Sequence, residues 1–185
     1  MIARAYGQEL LRLARTSIDR ALKGEPPPSL VERPHPDDPS HGVFVTLKIG
    51  QDLRGCIGTL SAEEGIPKTV SAFAREAAFR DPRFPPLTPG EWPSVSVEVS
   101  VLTPPRLIPP EEVEPGRHGI ILELGARRGL LLPQVATEWG FTREQFLAAV
   151  SQKAGLPDNA WKLAGAKIYA FEAEVFGEEE GAPPR

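Results

Sequence analysis

Proline dictates where this chain cannot build regular structure. Of its 21 prolines, six fall between Glu25 and Gly42, five between Asp81 and Pro93, and five between Thr103 and Gly116. Each fixes φ and removes a backbone donor, so neither a helix nor a central strand passes through these stretches. They must be surface connections, with the ordered elements between them. At 185 residues, against a usual domain size of roughly 100 to 200, the chain has room for one domain with or without a small appended lobe.

Between the connections the apolar spacing switches between two periods. Tyr6, Leu10, Leu13, Ala14, Ala21 and Leu22 recur at helical spacing with arginines between them, which predicts an amphipathic helix ending at Gly24. Val43, Val45, Leu47 and Ile49 alternate with Phe44, Thr46 and Lys48. A turn at Gly50-Gln51-Asp52 and a return strand from Leu53 to Leu60 complete a hairpin. From Ile66 a helical stripe of Val70, Phe73, Ala74, Ala77 and Ala78 follows, and then a strand with Val95, Val97, Val99 and Val101 facing inward. HGIILELG and GLLLP read as a second hairpin about a basic turn, Ala126-Arg127-Arg128. Thr142 with Gln145 is a capping-box signature opening a helix that runs to Gly155. AKIYAFEAEVF supplies a last strand, and residues 178–185 are expected to form a flexible tail. Helices interspersed with hairpins predict an α+β fold in residues 1–177, a largely antiparallel sheet flanked by helices, with a smaller second lobe and a cleft between the two.

Composition narrows the function classes. Hydrophobic residues at 41% and charged residues at 25% are those of a folded, water-soluble chain. Acidic residues exceed basic ones, 25 to 21, so no global field is present to hold DNA. No run of ~18 apolar residues is available to span a bilayer. The opening MIARAYGQELLRLAR is amphipathic and charged where a signal peptide is continuously apolar, so a cytoplasmic location is expected. Fifteen Arg against six Lys, a single Asn and many loop prolines resemble a thermophile's composition, a bias that a GC-rich genome also produces.

Cys56 is the only cysteine. Strand alternation places Arg54 on its face, about 7 Å away, and a guanidinium at that range favours the nucleophilic thiolate. Gly55 and Gly58 bracket the thiol, and glycine inside a strand makes sense where another group approaches closely. The competing reading is a small buried core residue, the commonest fate of free cysteine.

LRGCIGT (Leu53 to Thr59) resembles the signature of the AMMECR family. The likeness continues through GVFVTL (Gly42 to Leu47), AAFRDPRFPPLTPGEWPSVSVEVSVLTPP (Ala77 to Pro105), GRHGI (Gly116 to Ile120), RRGLLLPQVATEWG (Arg127 to Gly140) and the C-terminal FLAAVSQKAGLP, nearly the whole chain. The resemblance implies an α+β fold with a larger and a smaller lobe and a cleft lined by the cysteine motif. It also implies partners, because bacterial and archaeal members are grouped with a MEMO-like protein and a radical-SAM protein as the A component of the AmmeMemoRadiSam system. The family brings no established reaction or catalytic residue, so what transfers is motif membership for Leu53, Arg54, Gly55, Cys56, Ile57, Gly58 and Thr59.

Other candidates come from the residues themselves. Arg80, Asp81 and Arg83 sit at a helix end before a proline-stiffened loop, where two arginines bracketing a carboxylate can present a fork to phosphate or carboxylate or can simply hold the loop. His118 at a strand entry is the best available base for Cys56, although a lone histidine there is more often structural. Glu98 is either a surface charge or a general acid or base. His35 and His41 with Asp37 and Asp38 lack ordered ligand spacing, and no CxxC, HExxH, GxGxxG or P-loop pattern occurs, so no metal or cofactor is expected. Arg127-Arg128 is expected to be a solvated turn tip. Three function classes remain. The leading one is an enzyme or substrate-handling subunit of a modification system, with Cys56, Arg54 and His118 catalytic and Gly55, Gly58, Thr59, Arg80, Asp81 and Arg83 ligand-binding. A non-enzymatic protein- or ligand-binding module comes second. RNA binding comes last, because the arginines form no basic stripe with stacking aromatics.

Overall fold

A computed structural model describes residues 4–30 and 41–178. The His35, Asp37 and Asp38 group and residues 179–185 of the expected tail lie outside them. The chain divides into two compact units, Met1–Leu102 with Glu174–Arg185, and Thr103–Ala173. Every strand pairing given below is antiparallel.

The first unit is built on strands β1 (Gly42–Ile49), β2 (Asp52–Thr59) and β3 (Val95–Leu102) in the order β2-β1-β3, which leaves β2 on the edge. Helices α1 (Arg4–Leu22) and α2 (Ile66–Phe79) pack against each other and cover one face. That face carries Val43, Val45 and Leu47 of β1 and Val95, Val97, Val99 and Val101 of β3, all buried with Leu10, Ala14 and Ile18 of α1 and Val70, Ala74 and Ala77 of α2. Burying each such valine or leucine contributes about 1.5–3 kcal/mol, so the alternation seen in the sequence decides which face the helices take.

The second unit holds β4 (Arg106–Ile108), β5 (His118–Leu124), β6 (Arg127–Leu131) and β7 (Lys167–Gly177) in the order β4-β7-β5-β6; the last residues of β7 belong to the first unit. Helices α3 (Pro133–Glu138) and α4 (Arg143–Lys153) complete it around a core of Ile120, Leu122, Phe146, Leu147, Val150 and Ile168. The capping box is present: Thr142 Oγ1 accepts from the Gln145 amide and the Gln145 side chain accepts from the Thr142 amide.

Two features depart from expectation. The turn of the second hairpin is Gly125-Ala126, so Arg127 and Arg128 are strand residues, and Arg128 lies opposite Glu123 and pairs with it at 3.3 Å. Cross-strand charge pairing favours this register over a solvated tip. The Pro-rich stretch after β3 also yields the three-residue strand β4, which keeps its donors against β7 because its prolines fall outside Arg106–Ile108.

Candidate functional site

The β1–β2 pairing is interrupted. Leu53 lies opposite Lys48 and Gly55 opposite Leu47, so Arg54 is an extra residue, a β-bulge. Expecting Arg54 and Cys56 on one face assumed unbroken alternation; the bulge instead puts Leu53 in phase with Cys56. Arg54 is buried, its Nε donating to Glu91 Oε1 at 3.0 Å and its Nη2 to the Pro85 carbonyl at 3.0 Å. Glu91 also accepts from the Thr88 amide and hydroxyl. The Arg54 guanidinium first, then the two Thr88 donors, bring the Glu91 carboxyl down to about 2.

Cys56 is half-buried on the outer face of β2, opposite Thr46, whose Oγ1 donates to Sγ at 3.3 Å. Its backbone is gripped from the far side. The Cys56 amide donates to Asp81 Oδ2 at 2.9 Å, and Arg83 Nη2 donates to the Cys56 carbonyl at 3.2 Å. Asp81 and Arg83 thus occupy the two groups that an edge strand would offer to another chain. Asp81 also accepts from the Arg83 amide (3.1 Å), Nε (2.9 Å) and Nη2 (2.7 Å). The Arg83 guanidinium first, with the Cys56 and Arg83 amides, holds the Asp81 carboxyl well below the usual carboxylate range despite its burial.

The local sequence explains why these parts meet. Pro82 forbids continuation of α2 and keeps Asp81 out of helical conformation, and the Asp81 side chain closes an Asx turn on Arg83. The loop then returns to the helix end, the Leu87 amide donating to the Ala78 carbonyl. A Cβ at Gly55 would overlap the Ala77 carbonyl of α2, and one at Gly58 would overlap the Phe44 ring. These glycines allow the helix end and the ring to sit directly on β2.

The other candidates take different places. Arg80 turns to Glu76 at 3.1 Å with three-quarters of its side chain exposed, so Arg83 alone pairs with Asp81. Thr59 Oγ1 donates to the Ser61 carbonyl and accepts its amide, closing the turn after β2. Glu98 stands opposite Thr46 on β3 and pairs with Lys48 at 2.8 Å. His118 is in the second unit, where Nδ1 accepts from the Glu114 amide, so the proton of the neutral ring is on Nε2. Burial pushes its pKa down. The lone pair a base would use is therefore already committed. Among the described residues no three His, Cys, Asp or Glu side chains cluster as metal ligands would, and no helix is long and apolar enough to cross a membrane.

Two members of the site were not identified from sequence. Thr46 is visible only once the register is known. Glu91 had a signal, the Thr88-x-x-Glu91 capping pattern, which sits inside a proline-rich stretch.

Comparison with known proteins agrees with the motif. The AMMECR1 family model matches residues 11–176. The chain belongs to the AMMECR1 family. An AMMECR1-type relative from Methanococcoides burtonii is 41% identical over 97% of this chain and 92% of its own. One from Pyrococcus furiosus is 45% identical over 94% of this chain and 89% of its own. The crystal structure of an uncharacterized protein from Pyrococcus horikoshii superposes with a TM-score of 0.83 at 42% identity, covering 99% of this chain and 96% of that one. The AMMECR1 match takes in β2, the end of α2 and the Asp81–Glu91 loop together.

Proposed function

We propose that this AMMECR1 protein is an enzyme or a substrate-handling subunit of a modification system, and that Cys56 is its working group. The observation that carries this reading is the treatment of one half-buried cysteine: Thr46 donates to its sulfur while Asp81 and Arg83 fix its amide and carbonyl. A cysteine serving as filler needs neither, whereas a nucleophile gains from a fixed position and from a donor that stabilises the thiolate. The Cys56 amide is committed to Asp81, so any oxyanion formed at the sulfur must be stabilised by other donors. Arg54, Gly55, Gly58 and Thr59 shape the strand, and Asp81 with Arg83 positions it. MEMO-like and radical-SAM proteins are the partners this reading implies, on a cytoplasmic pathway.

The test mixes the purified chain with the MEMO-like and radical-SAM proteins of the same organism and follows mass changes in all three and in small-molecule products. Wild type is expected to support a change that Cys56→Ala abolishes while melting within a few degrees of wild type. A change that persists in Cys56→Ala would return the thiol to a packing role and leave the protein as a binding module.

A further inference from the structure

Two guanidinium groups lie over the Phe84 ring, Arg83 with its Cζ 5.5 Å from the centroid and Arg54 with its Cζ 5.9 Å away. Each already has a carboxylate, Asp81 for Arg83 and Glu91 for Arg54. Each also has a nitrogen left over. Arg83 uses Nε and Nη2 on Asp81 and on the Cys56 carbonyl, and no acceptor among the described residues meets its Nη1. Arg54 uses Nε and Nη2, and its Nη1 is buried with no acceptor among the described residues, on a side chain only 9% exposed. A buried cationic donor without an acceptor is costly.

Arg83 differs from an ordinary surface arginine in how it is held. Its guanidinium is locked side-on by Asp81, tied to the Cys56 carbonyl and seated by Phe84, yet its side chain remains 53% exposed. The paired face of the fork is taken by Asp81, and the remaining nitrogen presents two N–H donors, enough to hold an oxygen of an anion. Because its orientation is already fixed, binding there costs little further side-chain entropy. The carbonyl it holds belongs to the residue that bears the thiol.

We propose that the surface beside Cys56 takes a ligand bearing a carboxylate or phosphate, received by the unfilled Nη1 side of Arg83. This rests on the reading of Cys56 as the working group and adds the substrate class: an anionic molecule whose reacting carbon lies beside the sulfur.

Paired alkylating agents test it. Iodoacetate carries a carboxylate and iodoacetamide does not. In both, the sulfur attacks the methylene carbon, the C–S bond forms as the C–I bond breaks, iodide leaves and the thiol proton passes to buffer. Labelling of native Cys56 is followed by intact mass, and the iodoacetate-to-iodoacetamide rate ratio is divided by that of free N-acetylcysteine at the same ionic strength. The inference predicts a normalised ratio of about threefold or more, a fall towards one in Arg83→Gln, and no fall in Arg80→Gln. Inorganic phosphate should slow iodoacetate more than sodium chloride of equal ionic strength does. Should Arg83→Gln fail to fold, the wild-type ratio and the phosphate protection still decide the matter. A normalised ratio of one or less in wild type, with both reagents reacting, overturns the anion site and leaves the Cys56 reading standing. Failure of both reagents to label the native protein overturns both.

Discussion

Asp81 accepts from four donors, two on its own turn's guanidinium and two on backbone amides, one of them that of Cys56. Its carboxyl ionises at lower pH in the folded chain than in the unfolded one, so the folded state binds fewer protons in that range. The resulting stability is complete above the ordinary carboxylate range and is lost as pH falls below about 4 toward the folded value. Asp81→Asn should therefore cost about 1.5–3 kcal/mol at neutral pH, read from the urea midpoint, and the gap to wild type should close as the solution is acidified. A gap that widens in acid would contradict this assignment. Thr46 acts on the sulfur itself. Thr46→Val should slow native iodoacetamide labelling of Cys56 by about 3- to 10-fold, the range for losing a weak charge-assisted hydrogen bond, and Thr46→Ser should restore most of the rate. Equal rates in all three proteins would remove Thr46 from the site.

At the scale of elements, the close approach of α2 to the edge strand makes Gly55 a packing requirement. Gly55→Ala must displace the Ala77 carbonyl or the strand, at a cost of about 1–3 kcal/mol, measurable by thermal denaturation. The turn before β5 supplies a pH signature of its own. Burial depresses the His118 pKa, so the unfolded chain takes up a proton that the folded chain refuses, and stability should fall as pH drops below about 6.5. His118→Gln should flatten that slope between pH 7 and 5, and an unchanged slope would refute the assignment. Much at this scale was legible in the sequence. Valine alternation identified β1 and β3, and a helical stripe identified α2, because both patterns are local. The Thr142 capping box was legible for the same reason. The bulge at Arg54 was not, since register is set by the partner strand and by what packs over Gly55, neither of which a single strand's alternation contains. Strand β4 was hidden by its proline neighbours, and Arg127-Arg128 was misplaced because a charged pair after Gly-Ala looks like a turn until Glu123 is found opposite.

Across the whole molecule, two compact units each carry their own core, and the candidate site lies entirely within the first. The site joins two blocks that sequence reading singled out separately, Leu53–Thr59 and Phe79–Phe84, with the second acting as a substitute strand on the free edge of the first. Their cooperation was not legible because it is a contact between residues 25 and more positions apart. The same arrangement protects an edge from pairing with other chains at a cysteine that is itself only half-buried. That combination, a fixed backbone under a reachable sulfur, is the central claim. It is tested most directly by the rate of iodoacetamide labelling of Cys56, followed by intact mass at neutral pH in increasing urea well below the unfolding midpoint. A thiol reacting from the folded state should label at a rate nearly independent of urea. A rate that rises with urea in step with the equilibrium population of unfolded chain would show that Cys56 is reached only by unfolding, and would contradict the account.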